Sequence, residues 1–558
     1  MKRQWQVFLR VLRSYSIEEK VVSIVVAVIT FVVLVQGIVG LFRSPDFFLG
    51  EGGYSEGIIS ERPALLNPLY VDFSEAAREI SSLVFSGLVK YDPATKTFVP
   101  DLADLKISED NKTYHFTLKD GLKWQDSEPL TADDVYFTYH DLIQSPEFKN
   151  YLLQANFEGV EVQKLDDKNI NFILSRPNSF FITNLNVGIV PRHVLENVAV
   201  ADLPLATFNL KPVGSGPYKI DSSMEVLADG RQRVLLSAND SYYGTHPKIK
   251  NIRFNVYPDS ASLAKEKNAL NVIAKVPREI LDELTAGNRF SFINYELPQY
   301  TAVFFNMDSA VLKKDKARLA LQKSIDKVEL MKLLTNKTEV DTPLMDLNQL
   351  DWVYKFNLDE AKGAFFDEGY KVIKDSGDPY RKDANAQNLK LVMLARQWNE
   401  GTAQADETRV ITDFLKKSWE AAGVQLDVQL ADAAGFEQRL ADHDYDMVLT
   451  GQSLGYNLDI YSYWHSSQAL AGGLNLSNYR SFAVDALIQR IRENFDSENK
   501  DKLLNDLAKE ISQDIPAIFL FRPSYVYASD GKLKGVNLQN LAFPSDRFAH
   551  EDGWCINC

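Results

Sequence analysis

Cysteine is nearly missing from this chain of 558 residues: there are two, Cys555 and Cys558, both in the last four positions. That excludes a disulfide-dense scaffold. A basic surplus is missing too. Lys and Arg number 61 against 76 Asp and Glu, a formal charge of −15. An acidic surface repels phosphate, so nucleic acid is excluded as a partner class. Gly and Pro are not inflated, and there is neither an internal repeat nor a low-complexity tract. A collagen-like or disordered chain is thereby excluded.

Signatures of catalysis are also scarce. Seven histidines (His115, His140, His193, His246, His443, His465 and His550) form no His-Glu-x-x-His pattern, so no metal site is implied. No Walker A and no Gly-x-Gly-x-x-Gly motif occurs. In Gly214-Ser-Gly-Pro, Pro217 removes an N–H that a phosphate cradle would need. No cofactor is implied. One pattern fits an enzyme: Gly451-Gln452-Ser453-Leu454-Gly455 matches Gly-x-Ser-x-Gly, the serine hydrolase elbow. An elbow requires a helix directly after the serine. The residues that follow, Tyr456 to Trp464, read as aromatic and turn-like instead.

What is present begins with a long apolar run. Val21 to Leu41 holds no charge and is long enough to cross a bilayer as a helix. Lys2, Arg3, Arg10, Arg13 and Lys20 precede it, against Glu18 and Glu19. The positive-inside rule then predicts a cytoplasmic stub over 1–20, a transmembrane anchor over 21–42 in contact with the lipid bilayer, and a tether over 43–51. The body lies on the extracytoplasmic face. The n-region is too long for a cleaved signal peptide, and no small-x-small cleavage site follows.

The body reads as mixed α/β. Strand-like runs are Thr113–Leu118, Lys168–Leu174, Val234–Ser237, Ile252–Tyr257, Tyr300–Asn306, Leu389–Leu394 and Val424–Leu430. Helix-like stretches are Ser74–Phe85, Thr131–Ile143, Ala317–Leu334, Glu407–Ala422 and Lys500–Ile511, with a capping box predicted at Thr131-Ala-Asp-Asp. Aromatics cluster with small polar groups at Tyr70–Phe73, Tyr300–Phe305 and Tyr456–Trp464. In the last of these, which follows a strand, aromatic faces beside hydrogen-bonding groups are the chemistry of a pocket for an amphipathic ligand, whereas most of the others read as core. The terminal Cys555-Ile-Asn-Cys558 allows an intramolecular disulfide or two idle thiols.

A series of landmarks runs in order through the body: Leu66-Asn-Pro-Leu-Tyr70, Leu83 to Asp92, Val99-Pro-Asp-Leu-Ala103, Tyr114 to Trp124, Pro129 to Val135, Gly214-Ser-Gly-Pro-Tyr218, Asn239 to Tyr243, Phe305-Asn306, Arg318 to Asp326, Asn478-Tyr-Arg-Ser and Val484-Asp-Ala-Leu487. In order and spacing they resemble the family 5 extracytoplasmic solute-binding proteins of ABC importers, the peptide- and nickel-transporter type. The resemblance covers about Gly52 to Asn537. It implies an α/β fold of two hinged lobes with an extra subdomain. One lobe would comprise 52–75, 206–299 and 525–558, its extra subdomain 76–205, and the other lobe 300–524. It further implies a monomer that is not an enzyme, captures a peptide or other small solute between closing lobes, and hands it to ABC permease subunits. Using the same fold as a sensory or scaffold ectodomain is the alternative.

The site residues implied are Asp72, Phe73 and Ser74 from one lobe, and Asn306, Gly451, Gln452, Ser453, Tyr456, Asn457 and Asp459 from the other. Peptide binders of the family often carry Asp where this chain has Gly455, to hold the ligand's α-amino group. Here Asp459 or Asp72 would supply that charge, or the ligand has no free amine there.

Overall fold

The computed structural model describes residues 53–60, 65–344, 352–372, 379–400, 402–456 and 458–558, with backbone alone at Asp72 and Phe73. The predicted anchor over 21–42 and the residue Asn457 lie outside these. Among the described residues no helix is long and apolar enough to cross a membrane.

One 13-stranded sheet runs through the molecule. From one edge its path is Gln425–Ala431, Lys390–Arg396, Met447–Ser453, Gln299–Phe305, Ala517–Ser529, Val272–Ile273, Tyr54–Ile59, Asn251–Tyr257, Gln232–Ala238 and Tyr218–Ile220. The first three are mutually parallel. Such strands are covered by helices on both faces, and their side chains alternate between two cores. Accordingly Val303 and Phe305 pack with Leu391, Met393 and Trp419 on one face, whereas Ala302 and Phe304 pack with Leu394, Val448 and Trp464 on the other.

The long strand Ala517–Ser529 belongs to both halves. Its first part pairs antiparallel with Gln299–Phe305, and residues 524–529 pair with Ser291–Glu296. The chain from Ser291 to Phe305 and the long strand therefore run side by side from one lobe into the other, crossing near Leu297-Pro298 and Arg522-Pro523. Pro523 lacks an N–H, and Arg522 forms an ion pair with Glu296 at 3.3 Å. This is the geometry of a two-strand hinge between two α/β lobes.

A separate four-stranded antiparallel sheet has the order Ala103–Ile107, Thr113–Leu118, Asn169–Leu174, Val160–Lys164. Strict alternation puts Tyr114, Phe116, Leu118, Ile170, Phe172 and Leu174 on its buried face. That face is continuous with the core of the first lobe.

Most predicted elements form close to their expected limits. Thr131 and Asp134 complete the predicted capping box: Thr131 N–H donates to Asp134 Oδ2 at 2.9 Å. The expected single helix Ala317–Leu334 is two, Asp315–Lys323 and Lys327–Leu333. Ser324 bonds back to the Ala320 carbonyl, and Asp326 accepts from Glu329 N–H, starting the second helix. At the chain end, Cys555 and Cys558 are disulfide-bonded.

Candidate functional site

In open α/β sheets, ligands bind outside the carboxyl ends of parallel strands. In the second lobe those ends are Arg396, Ala431 and Ser453. The loops that leave Arg396 and Ser453 reach the first lobe and the hinge. Ser453 pairs with Gln299 beside the crossing, and Leu454 N–H donates to the Pro298 carbonyl at 2.8 Å. Ala403 N–H donates to Glu279 Oε1 of the first lobe at 2.5 Å. Arg396 stacks its guanidinium 4.0 Å above the Trp398 ring, on the loop after the adjoining strand.

The strand Met447–Ser453 thus carries Gly451, Gln452 and Ser453 to the hinge. Gly451 and Ser453 are exposed, whereas Gln452 is buried and accepts from Tyr300 OH at 2.5 Å. Tyr463 OH donates to the Ser453 carbonyl at 2.8 Å. No helix follows directly. The next one, Tyr461–Trp464, starts eight residues on and is one turn long. The nucleophile elbow is therefore not formed. The two downstream imidazoles are engaged elsewhere, His465 with Ser467 at 2.9 Å and His550 with Asp92 at 3.0 Å.

From the first lobe, Ser74 caps the helix Glu75–Val84 by accepting from Ala77 N–H at 3.3 Å, and its hydroxyl lies 3.1 Å from that of Ser60. The next residue, Glu75, forms an ion pair with Lys275 at 3.0 Å. The Lys275 ammonium sits 4.4 Å above the ring of Tyr525 on the long strand, and Gln299 donates to Tyr525 OH. Both charged side chains stay partly exposed at this hinge-side face. Of Asp72 and Phe73, only the backbone, at the end of the 3₁₀ turn Pro68–Phe73, is described.

Three expected site residues, Asn306, Asp459 and Tyr456, have partners within the chain. Asn306 lies at the far end of its strand from Gln299, roughly 20 Å away at the usual strand rise. There it donates to the carbonyls of His443 (3.2 Å) and Tyr445 (3.1 Å) and accepts from Asn478 at 3.1 Å, which fixes loops rather than a ligand. Asp459 accepts from Arg492 at 3.0 Å and from Tyr461 N–H at 3.3 Å, so its charge is already neutralised. Tyr456 leaves its own lobe altogether. Its ring packs against Tyr91 (5.0 Å), Phe98 (5.2 Å) and Phe543 (5.0 Å), and its hydroxyl donates to Asp546 Oδ1 at 2.9 Å. Burial, then the nearby Asp546 carboxylate, pushes the Tyr456 phenol well up. Burial likewise raises Asp546 to about 6, against the pull of the Phe543 N–H and the Tyr456 hydroxyl.

Gly455 has φ +62°, and a Cβ there would lie 3.3 Å from Phe543 Cζ. An aromatic edge from the first lobe therefore occupies the space an acidic side chain would enter, and the left-handed backbone favours glycine. Reading the sequence missed Phe543 and Asp546 because the resemblance ends near Asn537. The signal available was Phe543-Pro-Ser-Asp546, a helix-start pattern with proline at the first position.

The comparisons with known proteins agree with this geometry. The oligopeptide-binding protein AppA of Bacillus subtilis is 26% identical over 495 residues, which cover 86% of this chain and 88% of the relative. The dipeptide-binding protein of Escherichia coli is 24% identical over 472 residues, covering 78% and 83%. The structure of Bacillus subtilis AppA in complex with a nonapeptide superposes with a TM-score of 0.74 at 25% identity, over 90% of this chain and 99% of that one. NikZ from Campylobacter jejuni in complex with Ni(L-His) gives 0.74 at 24%, over 90% and 99%. Residues 97–472, more than half the chain, match the family described as bacterial extracellular solute-binding proteins, family 5. That stretch contains the four-stranded sheet, the first crossing strand and the carboxyl-edge loops of the second lobe, and the chain belongs to this family.

Proposed function

We propose that this protein captures a peptide or similar amphipathic solute between its two lobes and delivers it to an ABC importer, without making or breaking a bond. The observation that carries the reading is the hinge. Two α/β lobes are joined through paired strands, and the carboxyl-edge loop 454–456 and the helix start at Ser74-Glu75 flank that crossing. Closure around a solute removes it from water and strengthens the few polar contacts made to it. The relatives' names support a peptide, and the solved nickel–histidine complex of NikZ adds a small metal chelate as a second ligand chemistry. Residues 21–42 anchor the protein in the membrane in this reading, with the N-terminus cytoplasmic and the permease as neighbour.

The test is a thermal-shift screen of the detergent-solubilised full chain against oligopeptides of graded length, dipeptides and nickel–histidine. A ligand present at 100 times its Kd should stabilise by about 2.7 kcal/mol, readable as a rise in Tm. A flat response across all three classes sinks the assignment.

A further inference from the structure

Two aromatic side chains cross between the lobes in opposite directions. Tyr456, from the second lobe, enters a box on the first lobe walled by Tyr91, Phe98 and Phe543. The box is assembled without it. Tyr91 and Phe98 touch each other at 5.5 Å, Tyr91 OH donates to the Asn540 carbonyl at 3.0 Å, and the Arg78 guanidinium covers Phe543 at 4.1 Å. At its base, Asp546 is held by the N–H groups of Ala542 and Phe543, both at 2.8 Å, which aims its other oxygen at the incoming phenol.

Phe180 makes the reverse crossing. Its neighbour Phe181 packs in the core of the first lobe against Tyr114 at 5.1 Å. Phe180 itself is 8% exposed and packs in the core of the second lobe, under the Lys500 ammonium at 3.7 Å. Beside it, Ser179 N–H donates to the Arg492 carbonyl at 2.6 Å, and Lys500 donates to Ser179 Oγ at 2.8 Å.

We propose that Tyr456 and Phe180 are reciprocal interlobe pegs that favour the closed arrangement of the two lobes, so that Tyr456 acts as a positioning residue and not as a ligand contact. Each peg is rooted in a different lobe, so rotation about the hinge must withdraw both together. Buried aromatics ringed by other side chains are the residues that dominate interfaces. Because the contacts are between parts of the chain, the proposal stands apart from what the cleft binds.

The test needs no ligand. Nitroxides on Lys106→Cys in the first lobe and Lys416→Cys in the second report the interlobe distance in the solubilised full chain. Wild type should give a single short distance. Tyr456→Ala and Phe180→Ala should each lower the closed-to-open ratio by about tenfold, equivalent to ~1.4 kcal/mol. A longer distance should appear while hydrogen exchange in the core strand Asn251–Tyr257 stays unchanged. Tyr456→Phe, which keeps the ring and loses only the Asp546 bond, should fall between, and it covers the case in which an alanine variant fails to fold. Wild type that is already open without ligand, or variants that all keep the short distance, would overturn the proposal.

Discussion

Arg547 lies between Glu56 and Glu79, all three essentially without solvent contact, and its guanidinium bonds both carboxylates and the Pro544 carbonyl. Two anions around one cation leave a net negative charge in the core, where burial dominates and raises both carboxyls in spite of Arg547. Removing the cation would leave two carboxylates uncompensated. Arg547→Leu should therefore cost about 3–5 kcal/mol in denaturant unfolding. Adding Glu56→Gln and Glu79→Gln to that variant should recover part of the loss. If Arg547→Leu alone is neutral, the carboxyls were already protonated and the ion-pair account fails. Nothing in sequence spacing marks this triad, because Arg547 is 491 and 468 positions from its two partners. By contrast Ser453 and Gly455 stand in one readable motif, yet the motif's chemistry depended on what came next in space: a turn against Phe543 and no helix.

At the scale of elements, periodicity was a good guide wherever one face meets one core. Thr113–Leu118 alternates, and it forms over those limits with Tyr114, Phe116 and Leu118 buried. Local capping was equally legible at Thr131. Thr131→Ala removes the acceptor for Asp133 N–H and should lower stability by about 1 kcal/mol, measured as a shift of the urea midpoint with unchanged slope. The long strand Ala517–Ser529 was not legible. Arg522-Pro523 in its middle reads as a break, and proline is indeed excluded from most central strands. Here Pro523 sits where the strand passes between lobes and pairs with the short strand Lys337–Glu339, so the missing N–H falls at the crossing. The continuity of this strand across the hinge was thus hidden by the residue that adapts it to the crossing.

At the scale of the molecule, buried acids set the pH response. Burial raises Asp546 to about 6 and Glu551 to about 7, and Glu79 is pushed up as well. Each binds its proton more tightly folded than unfolded. Their contribution to stability is thus complete below about pH 4, the unfolded value, and is lost as pH rises through 6 to 7. Tm should climb as pH falls from 8 to 5, by roughly 2–5 °C for a chain of this size. A Tm that falls steadily over that window would contradict the burial of these carboxyls. Asp546 also receives Tyr456, so the same acid that shapes this profile closes the box between the lobes.

The linear sequence by itself determined the family, the mixed α/β class, the alternation of most strands and the helix caps. These follow from short-range chemistry: side-chain period, turn residues and motif spacing act within a few positions. Tertiary structure alone decided which candidate residues meet. It sent Asn306 to the far end of its strand, paired Asp459 with Arg492, buried Glu56 and Glu79 on Arg547, and carried Tyr456 across to Asp546. Those partners lie between 33 and 491 residues apart where side chain meets side chain. Contacts of that span are chosen by how two lobes and a C-terminal segment pack against one another, which no local pattern encodes.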